Sequence, residues 1–184
     1  MSRVAVFGGS FNPPHVAHVL AAAYVLSTQP VDHLIVVPAF THPFGKALVS
    51  YEHRTTMCSL AFADLHRVAV SDIERTMAGE SRTLFMLRAL RDRHPDWAMR
   101  LVVGSDILVE SPKWFAWDDV VALAPPIVLG RIGFEVPGAP IPVLPRVASR
   151  DVRAAIARGD PPADLLPTHV LEYVRAHALY QDAA

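Results

Sequence analysis

"VAVFGGSFNPPHVAHVLAAAYVL", residues 4–26, is the stretch of sequence that decides the fold. An apolar run is followed by a Gly-Gly-Ser turn, a Pro-Pro pair and a second run of helical composition, which predicts a strand, a tight loop and a helix. His15 and His18 lie at the junction, one helical turn apart, so both face the same side of the helix start. A helix N-terminus favours anions, and Gly8 and Gly9 allow close backbone approach. We therefore interpret the junction as a phosphate-binding site.

Two other interpretations of the histidines remain open. A histidine on an apolar helix is commonly a packed core residue, and this applies to His18 taken alone. The second interpretation is that the two histidines bind zinc, although a zinc site needs a third ligand and no cysteine or glutamate stands nearby in the sequence. The loop matches neither G-x-G-x-x-G nor G-x-x-x-x-G-K-[ST], so neither a dinucleotide cofactor nor a P-loop is indicated.

Composition limits the class of protein. The chain has 184 residues, 52% hydrophobic and 19% charged, which predicts one globular domain with a helical segment at about 149–180. The formal net charge is −1 and only two residues are lysine, so binding to long nucleic acid is not expected. The single cysteine, Cys58, excludes an internal disulfide. No apolar run has the length of a membrane helix, and residues 1–7 lack signal-peptide features, so we expect a cytoplasmic enzyme.

Strand-like and helix-like segments alternate along the chain. The strand-like segments are 3–8, 32–38, 67–74, 98–106 and 126–131, and the helix-like segments are 16–28, 50–64, 81–94, 114–124, 149–158 and 167–177. Residues 137–145 form a proline-rich connection with a short strand at most. Alternation of this kind predicts a doubly wound parallel α/β sheet covered on both faces. Ligands of such sheets bind at the carboxyl ends of the strands.

Four segments carry a resemblance to a known family. "GGSFNPPHVAH" (8–18) resembles the signature of the nucleotidylyltransferase superfamily, whose second half is the HxGH motif, here with alanine in place of glycine. "VVGSDILVESPKWFAWDDV" (102–120), "RVASRDVRAAI" (146–156) and "PTHVLEYVRAHALY" (167–180) are similar, in the right order, to segments of the bacterial nicotinate-nucleotide adenylyltransferases. The resemblance covers nearly the whole chain. It implies a Rossmann-like nucleotidylyltransferase fold.

The chain departs from the family pattern in three places. The family's Pro-Pro-His-Lys loop appears as "PFGK" (43–46), which keeps the first proline and Lys46. The family's Ser-Tyr-Thr-Ile-Asp-Thr-Leu appears as "SRTLFML" (81–87), where Arg82 replaces the tyrosine and Phe85 the aspartate. In "RVASRDVRAAI" an alanine and an arginine take the places of a serine and a threonine. The residues that this family uses to bind the triphosphate of ATP therefore match the family pattern better than the residues that it uses to bind the second substrate.

The resemblance implies adenylyl transfer from ATP to nicotinate mononucleotide, with Mg²⁺ carried on ATP and no dedicated metal site. The implied partners are ATP and a pyridine mononucleotide, with neither nucleic acid nor membrane. The residues implied as catalytic are His15, His18, Lys46 and Arg153; those for ATP are Gly8, Gly9, Ser10, Phe11, Gly104, Asp106, Ser149 and Arg150; those for the second substrate are Thr83, Arg82, Trp114 and Trp117.

Alternatives stay open for several of these residues and for the substrate. Arg153 could instead be a solvated helix residue, and Asp106 could be only a helix N-cap. Trp114 and Trp117 could pack in the core rather than line the substrate pocket. The alternative functions are adenylyl transfer to nicotinamide mononucleotide or phosphopantetheine, and nucleotide binding without catalysis. Residues 81–87 contain no carboxylate to accept from an amide, which favours the nicotinate substrate.

Overall fold

The protein forms a six-stranded, fully parallel β-sheet with helices on both faces. The computed structural model describes residues 1–41, 48–77, 81–110, 114–134 and 142–181. The strands are β1 (Ser2–Gly9), β2 (His33–Pro38), β3 (Val68–Val70), β4 (Trp97–Gly104), β5 (Pro126–Arg131) and β6 (Pro142–Leu144). Their order across the sheet is β3-β2-β1-β4-β5-β6. The fold predicted from the sequence, a doubly wound parallel sheet, is confirmed.

Seven helices cover the sheet within the described ranges. They are α1 (Val16–Thr28), α2 (Tyr51–Ala61), α3 (Thr83–Arg93), α4 (Ser105–Glu110), α5 (Trp117–Leu123), α6 (Ser149–Ala157) and α7 (Thr168–Ala176), with a 3₁₀ turn at Ile73–Thr76. None of the helices in the described part of the chain is both long and apolar enough to cross a membrane.

The core lies in two layers, one on each face of the sheet. Ala5 of β1 packs in the layer beneath α1, α2, α6 and α7, whereas its neighbours Val4 and Val6 pack in the layer beneath α3 and α5. Successive side chains of a strand point to opposite faces, so a strand covered on both sides is apolar throughout. This explains why β1 and β2 are continuous apolar runs.

The parallel arrangement gathers the chain's turns at one edge. β1 lies between β2 and β4, so the sequence order of the strands reverses beside it. Gly9, Pro38, Gly104 and Arg131 end their strands at the same edge of the sheet. In open parallel sheets a crevice forms outside the carboxyl ends where the strand order reverses, and here the crevice lies outside β1 and β4.

Most predicted elements agree with the structure within a few residues, and three differ. A strand was predicted over 67–74, but β3 ends at Val70 and residues 73–74 lie in the 3₁₀ turn, because the Ile73 amide donates to Ser71 Oγ at 3.3 Å in place of a strand partner. A helix was predicted over 114–124, but α5 begins at Trp117, because Ala116 before it has φ of 50°, in the left-handed region, and so lies outside the helix. Residues 105–106 were assigned to the fourth strand, but they begin α4 directly after Gly104. Ser50 is the N-cap of α2, since its Oγ accepts from the His53 amide at 3.2 Å.

Candidate active site

A cleft of about 630 Å³ opens at the carboxyl edge of the sheet, above β1 and β4. Three groups of described residues line it. The β1–α1 turn contributes Gly8, Gly9, Ser10, His15 and His18; the ends of β4 and β5 contribute Gly104, Asp106 and Arg131; the start of α6 contributes Ala148, Ser149, Arg150 and Arg153. Residues separated by more than 130 positions in sequence thus share one site.

The two histidines form a stacked pair at the start of α1. Their ring centroids are 3.7 Å apart, with an angle of 24° between the planes. His18 Nδ1 accepts a hydrogen bond from the backbone N–H of His15 at 3.1 Å. In the neutral ring the proton must then be on Nε2, which leaves Nε2–H as a donor. His15 is only 5% exposed, and its Nδ1 has no partner among the residues described.

Both histidines are neutral at physiological pH. Burial, reinforced by the charge of Arg131, lowers the pKa of His15 to about 4. Burial also lowers the pKa of His18 well below its ordinary value, with further contributions from His15 and Arg131. Neutral imidazoles supply N–H donors to an anion, and among the described lining residues the positive charge comes from arginines.

The amides at the start of α1 are mostly paired within the protein. His15 N–H donates to His18, and Val16 N–H donates to Leu165 O at 3.0 Å. These two amides are therefore not available to an anion at the start of α1. The His15 amide is used by a side chain one turn further along the same helix, whereas the Val16 amide meets Leu165, a contact between distant positions that local sequence does not reveal.

The start of α6 lies against the β1–α1 turn as well as the cleft. Ser149 Oγ donates to Pro13 O at 2.9 Å, and Arg153 Nη1 donates to Asn12 O at 2.7 Å. A guanidinium has five N–H donors, so Arg153, which lines the cleft, retains donors beyond the one that Asn12 uses. The structure thus places Arg153 in the cleft wall, and the alternative of a fully solvated helix residue does not describe its position.

Arg131 is a cleft residue that the sequence did not suggest. Its guanidinium donates to Asp106 Oδ2 at 2.8 Å and to Val147 O at 2.7 Å, and the pair is about three-quarters buried. A Cβ at Gly104 would collide with the Asp106 carboxylate, so the absence of a side chain there lets the carboxylate fold back over the strand end. Asp106 lies in the first turn of α4 and forms an ion pair with Arg131, so its role is not limited to capping a helix.

The cleft continues towards α3, where the second-substrate residues were expected. Thr83 and Trp114 line it, whereas Trp117 packs edge-to-face on Trp114, with 5.3 Å between centroids, and belongs to the core beneath α3 and α5. Arg82 is absent from the lining; its guanidinium lies over the Phe115 ring at 4.7 Å. Of these four residues the structure brings two to the cleft.

One predicted residue lies in the core. Phe11 is 1% exposed and packs edge-to-face on Phe7 and Phe62, so its side chain is in the core and outside the cleft lining. A Cβ at Gly9 would come within 3.2 Å of the Phe11 ring, so a side chain at position 9 would crowd this packing. Lys46 lies outside the described residues.

The acidic side chains of the cleft are engaged within the protein. Glu74 lines the cleft and is 6% exposed; its Oε2 accepts from the Phe40 amide at 2.7 Å. Burial raises the pKa of Glu74, although hydrogen bonds from Ser81 and Phe40 oppose the rise. With Asp106 bonded to Arg131, the described residues contain no group of three or more metal-ligating side chains.

Comparisons with known proteins find relatives that match nearly the whole chain. The profile of the cytidylyltransferase-like family matches residues 6–157. A probable nicotinate-nucleotide adenylyltransferase of Anaeromyxobacter dehalogenans is 47% identical over 183 residues, covering 97% of both chains, and one of Myxococcus xanthus is 41% identical over 179 residues, covering 97% of this chain and 94% of the relative. Among solved structures, the Plasmodium falciparum nicotinic acid mononucleotide adenylyltransferase superposes with a TM-score of 0.82 as its complex with APC and 0.84 as its complex with NaAD.

The extent of these matches decides the family. The two Plasmodium chains are 16% and 17% identical and each pair covers 98% of both chains, so they show the shared fold. The bacterial relatives are far above 30% identity over almost the whole chain. The chain belongs to the cytidylyltransferase-like family and, within it, to the nicotinate-nucleotide adenylyltransferases, a family of nucleotidyltransferase enzymes.

Proposed function

We propose that the protein transfers the adenylyl group of ATP to nicotinate mononucleotide, giving the dinucleotide and pyrophosphate, a step of NAD biosynthesis. The observation that carries the proposal is the single cleft in which the histidine pair of α1 faces the arginines of α6 across the ends of β1 and β4. The names of relatives that are 41–47% identical support the same reaction.

The reaction needs alignment more than it needs a base. A phosphate oxygen of the mononucleotide attacks the α-phosphorus of ATP, and the bond from that phosphorus to the bridging oxygen breaks as pyrophosphate leaves. A phosphate monoester is already ionised at neutral pH, because its second pKa is about 6. Catalysis then consists of holding the two substrates in line and neutralising charge on the phosphate oxygens. Neutral imidazole N–H groups and arginines suit that task.

Each cleft residue receives a role from its position. His18 donates from Nε2 to the oxygen that bridges the α- and β-phosphates, and His15 assists from beneath it. Arg153, Ser149 and Arg150 at the start of α6 hold the β- and γ-phosphates. Lys46, outside the described residues, receives the role of a further cation from the family motif alone.

The nucleoside half of ATP lies over the strand ends. Gly8, Gly9 and Ser10 allow the backbone to approach the nucleotide, and Gly104 admits the adenine. Asp106 accepts from the ribose hydroxyls on the carboxylate oxygen that Arg131 leaves unused.

We take the magnesium complex of ATP as the substrate. Mg²⁺ prefers to keep several waters and to bridge phosphate oxygens rather than enter a protein cage. The engaged state of Asp106 and Glu74 supports an ion carried on the triphosphate.

Nicotinate mononucleotide is preferred over its amide, nicotinamide mononucleotide, because the described residues of the cleft near α3 offer few hydrogen-bond acceptors to a carboxamide. The Glu74 carboxylate is used by the Phe40 amide and the Ser81 hydroxyl, so it does not serve the two N–H groups of a carboxamide. Leaving those groups unpaired in a buried site costs about 1–3 kcal/mol. Thr83 and Trp114 line this end of the cleft and contact the pyridine ring.

Because ATP and the pyridine nucleotides are cytoplasmic metabolites, we place the protein in the cytoplasm.

A coupled pyrophosphate-release assay tests the proposal. ATP and Mg²⁺ are combined in turn with nicotinate mononucleotide, nicotinamide mononucleotide and phosphopantetheine. We expect the highest kcat/KM with nicotinate mononucleotide. A higher kcat/KM with either of the other two phosphates would show that it, and not nicotinate mononucleotide, is the substrate. Binding of ATP with no turnover on any of the three would indicate a nucleotide-binding protein without catalysis.

A further inference from the structure

Four side chains from other elements bond to the loop 10–13. Arg54 Nη1 donates to Ser10 O at 3.0 Å, Arg153 Nη1 to Asn12 O at 2.7 Å and Ser149 Oγ to Pro13 O at 2.9 Å. The fourth, Tyr180, donates its hydroxyl to Asn12 Oδ1 at 2.8 Å. Three carbonyl oxygens of the loop are therefore bonded to the protein. This matters electrostatically, because a carbonyl oxygen turned towards phosphate repels it, whereas backbone N–H groups attract it.

Tyr180 reaches this loop from the far end of the chain. It follows α7, is 168 positions from Asn12, and has φ of 63°, a conformation that non-glycine residues adopt only when their surroundings hold them there. Leu179 beside it is 9% exposed and packs in the core, which anchors the segment. Tyr180 is half-buried, and its hydroxyl stays protonated, because partial burial raises the pKa of the phenol.

Asn12 is the point at which the loop is fixed. Its side chain is buried with 1% of the residue exposed, and Oδ1 accepts from both Tyr180 and the Val49 amide, the latter at 3.3 Å. Val49 lies just before α2, and Asn12 also accepts from Arg153 through its backbone. The side chain of Asn12 thus joins the loop to the segments leading into α2 and following α7.

We propose that Tyr180 is a positioning residue for the ATP-binding loop: its hydroxyl fixes Asn12 and so holds the loop, whose carbonyl oxygens are bonded to Arg54, Arg153 and Ser149, in the position in which it binds ATP. The inference rests on the proposed function in taking ATP as the ligand. Tyr180 does not line the cleft and does not touch the nucleotide. It acts through Asn12, and its removal affects ATP more than the second substrate, whose residues lie towards α3.

The variant Tyr180→Phe removes the hydroxyl and keeps the ring in the core. Tyr173→Phe is the matched control from the same segment, because the Tyr173 hydroxyl bonds to His53 Nδ1 at 3.0 Å, between α7 and α2 and away from the loop. Each variant loses one tyrosine hydroxyl bond. A role limited to anchoring the end of the chain predicts similar behaviour for the two variants.

The experiment compares wild type, Tyr180→Phe and Tyr173→Phe in steady-state kinetics, ATP calorimetry and urea unfolding. Misplacement by about 1 Å costs up to about 10²-fold in rate, and the Val49 amide still holds Asn12, so we expect kcat/KM for ATP to fall about tenfold in Tyr180→Phe. ATP affinity falls with it, while KM for the mononucleotide and the unfolding midpoint match those of Tyr173→Phe. Tyr173→Phe keeps the wild-type kinetics.

A double-mutant cycle with Asn12→Ala completes the test, since Tyr180→Phe should cause no further loss once its acceptor is gone. Wild-type ATP affinity and kcat/KM in Tyr180→Phe, an equal loss in Tyr173→Phe, or fully additive losses with Asn12→Ala would each overturn the proposal. If wild type releases no pyrophosphate with any mononucleotide, the proposed function fails, and the ATP-affinity comparison still decides the role of Tyr180.

Discussion

Replacing His15 with asparagine is predicted to flatten the acid limb of the protein's stability curve. In the folded protein burial and the charge of Arg131 lower the pKa of His15 to about 4, from an ordinary value of 6.5. Below pH 6.5 the unfolded chain therefore binds a proton that the folded chain does not. The stabilising contribution is complete above this pH and is lost as the pH falls towards 4.

The magnitude follows from the difference between the two pKa values. One pKa unit corresponds to about 1.4 kcal/mol, so the free energy of unfolding loses about 3 kcal/mol from this residue between neutral pH and pH 4. His18 adds a loss in the same direction, because its pKa is also lowered and part of that lowering comes from His15. Asparagine at position 15 removes the first contribution and reduces the second.

Urea unfolding at a series of pH values from about 7 to about 4.5 measures the effect. The comparison is between the pH slopes of wild type and His15→Asn, so a difference in stability at neutral pH does not enter. His66→Asn, which replaces an exposed histidine, serves as the control and should keep the wild-type slope. If His15→Asn retains the full slope, then His15 is not held neutral in the folded protein and the electrostatic description of the pair is wrong.

Further substitutions and a substrate comparison test the rest of the cleft. His18→Ala should lower kcat by about 10²–10³-fold with an unchanged circular dichroism spectrum; a variant that unfolds but has wild-type turnover per folded molecule would make His18 a core residue. Arg153→Ala should weaken ATP binding in calorimetry and spare the mononucleotide, and unchanged ATP affinity would contradict its role. Gly104→Ala should displace Asp106 from Arg131 and raise KM for ATP, whereas a wild-type KM would show that the pair does not contact the nucleotide. Nicotinate mononucleotide should exceed its amide in kcat/KM by about tenfold to a hundredfold, and equal values would refute the acid preference.

The parts of the fold and site that were predictable depend on local sequence. The β1–α1 turn was predictable because its glycines, prolines and histidines stand within eleven positions, and the α6 residues because Ser149 and Arg153 keep a family spacing. Helix α4 was missed because a helix that begins directly at the last strand residue leaves no loop to mark the boundary.

The remaining site residues depend on contacts between distant positions. Arg131 ends an ordinary strand, and only the β4–β5 pairing brings it to Asp106, 25 positions away. Arg54 sits in the middle of a helix, where arginine is usually exposed, yet it is 1% exposed and donates to the carbonyls of Ser10, Val49, Ala39 and Phe40. Tyr180 lies 168 positions from its partner. Composition and periodicity contain no signal for such pairs.

The central claim is that the protein breaks ATP at the α-phosphorus and joins the adenylyl group to a pyridine mononucleotide. The most direct measurement follows two labelled forms of ATP, one at the α- and one at the γ-phosphate, in the presence of Mg²⁺ and nicotinate mononucleotide. The account predicts that the α-label appears in the dinucleotide and the γ-label in pyrophosphate, in equal amounts. A γ-label in the organic product, or release of free phosphate without dinucleotide, would contradict it.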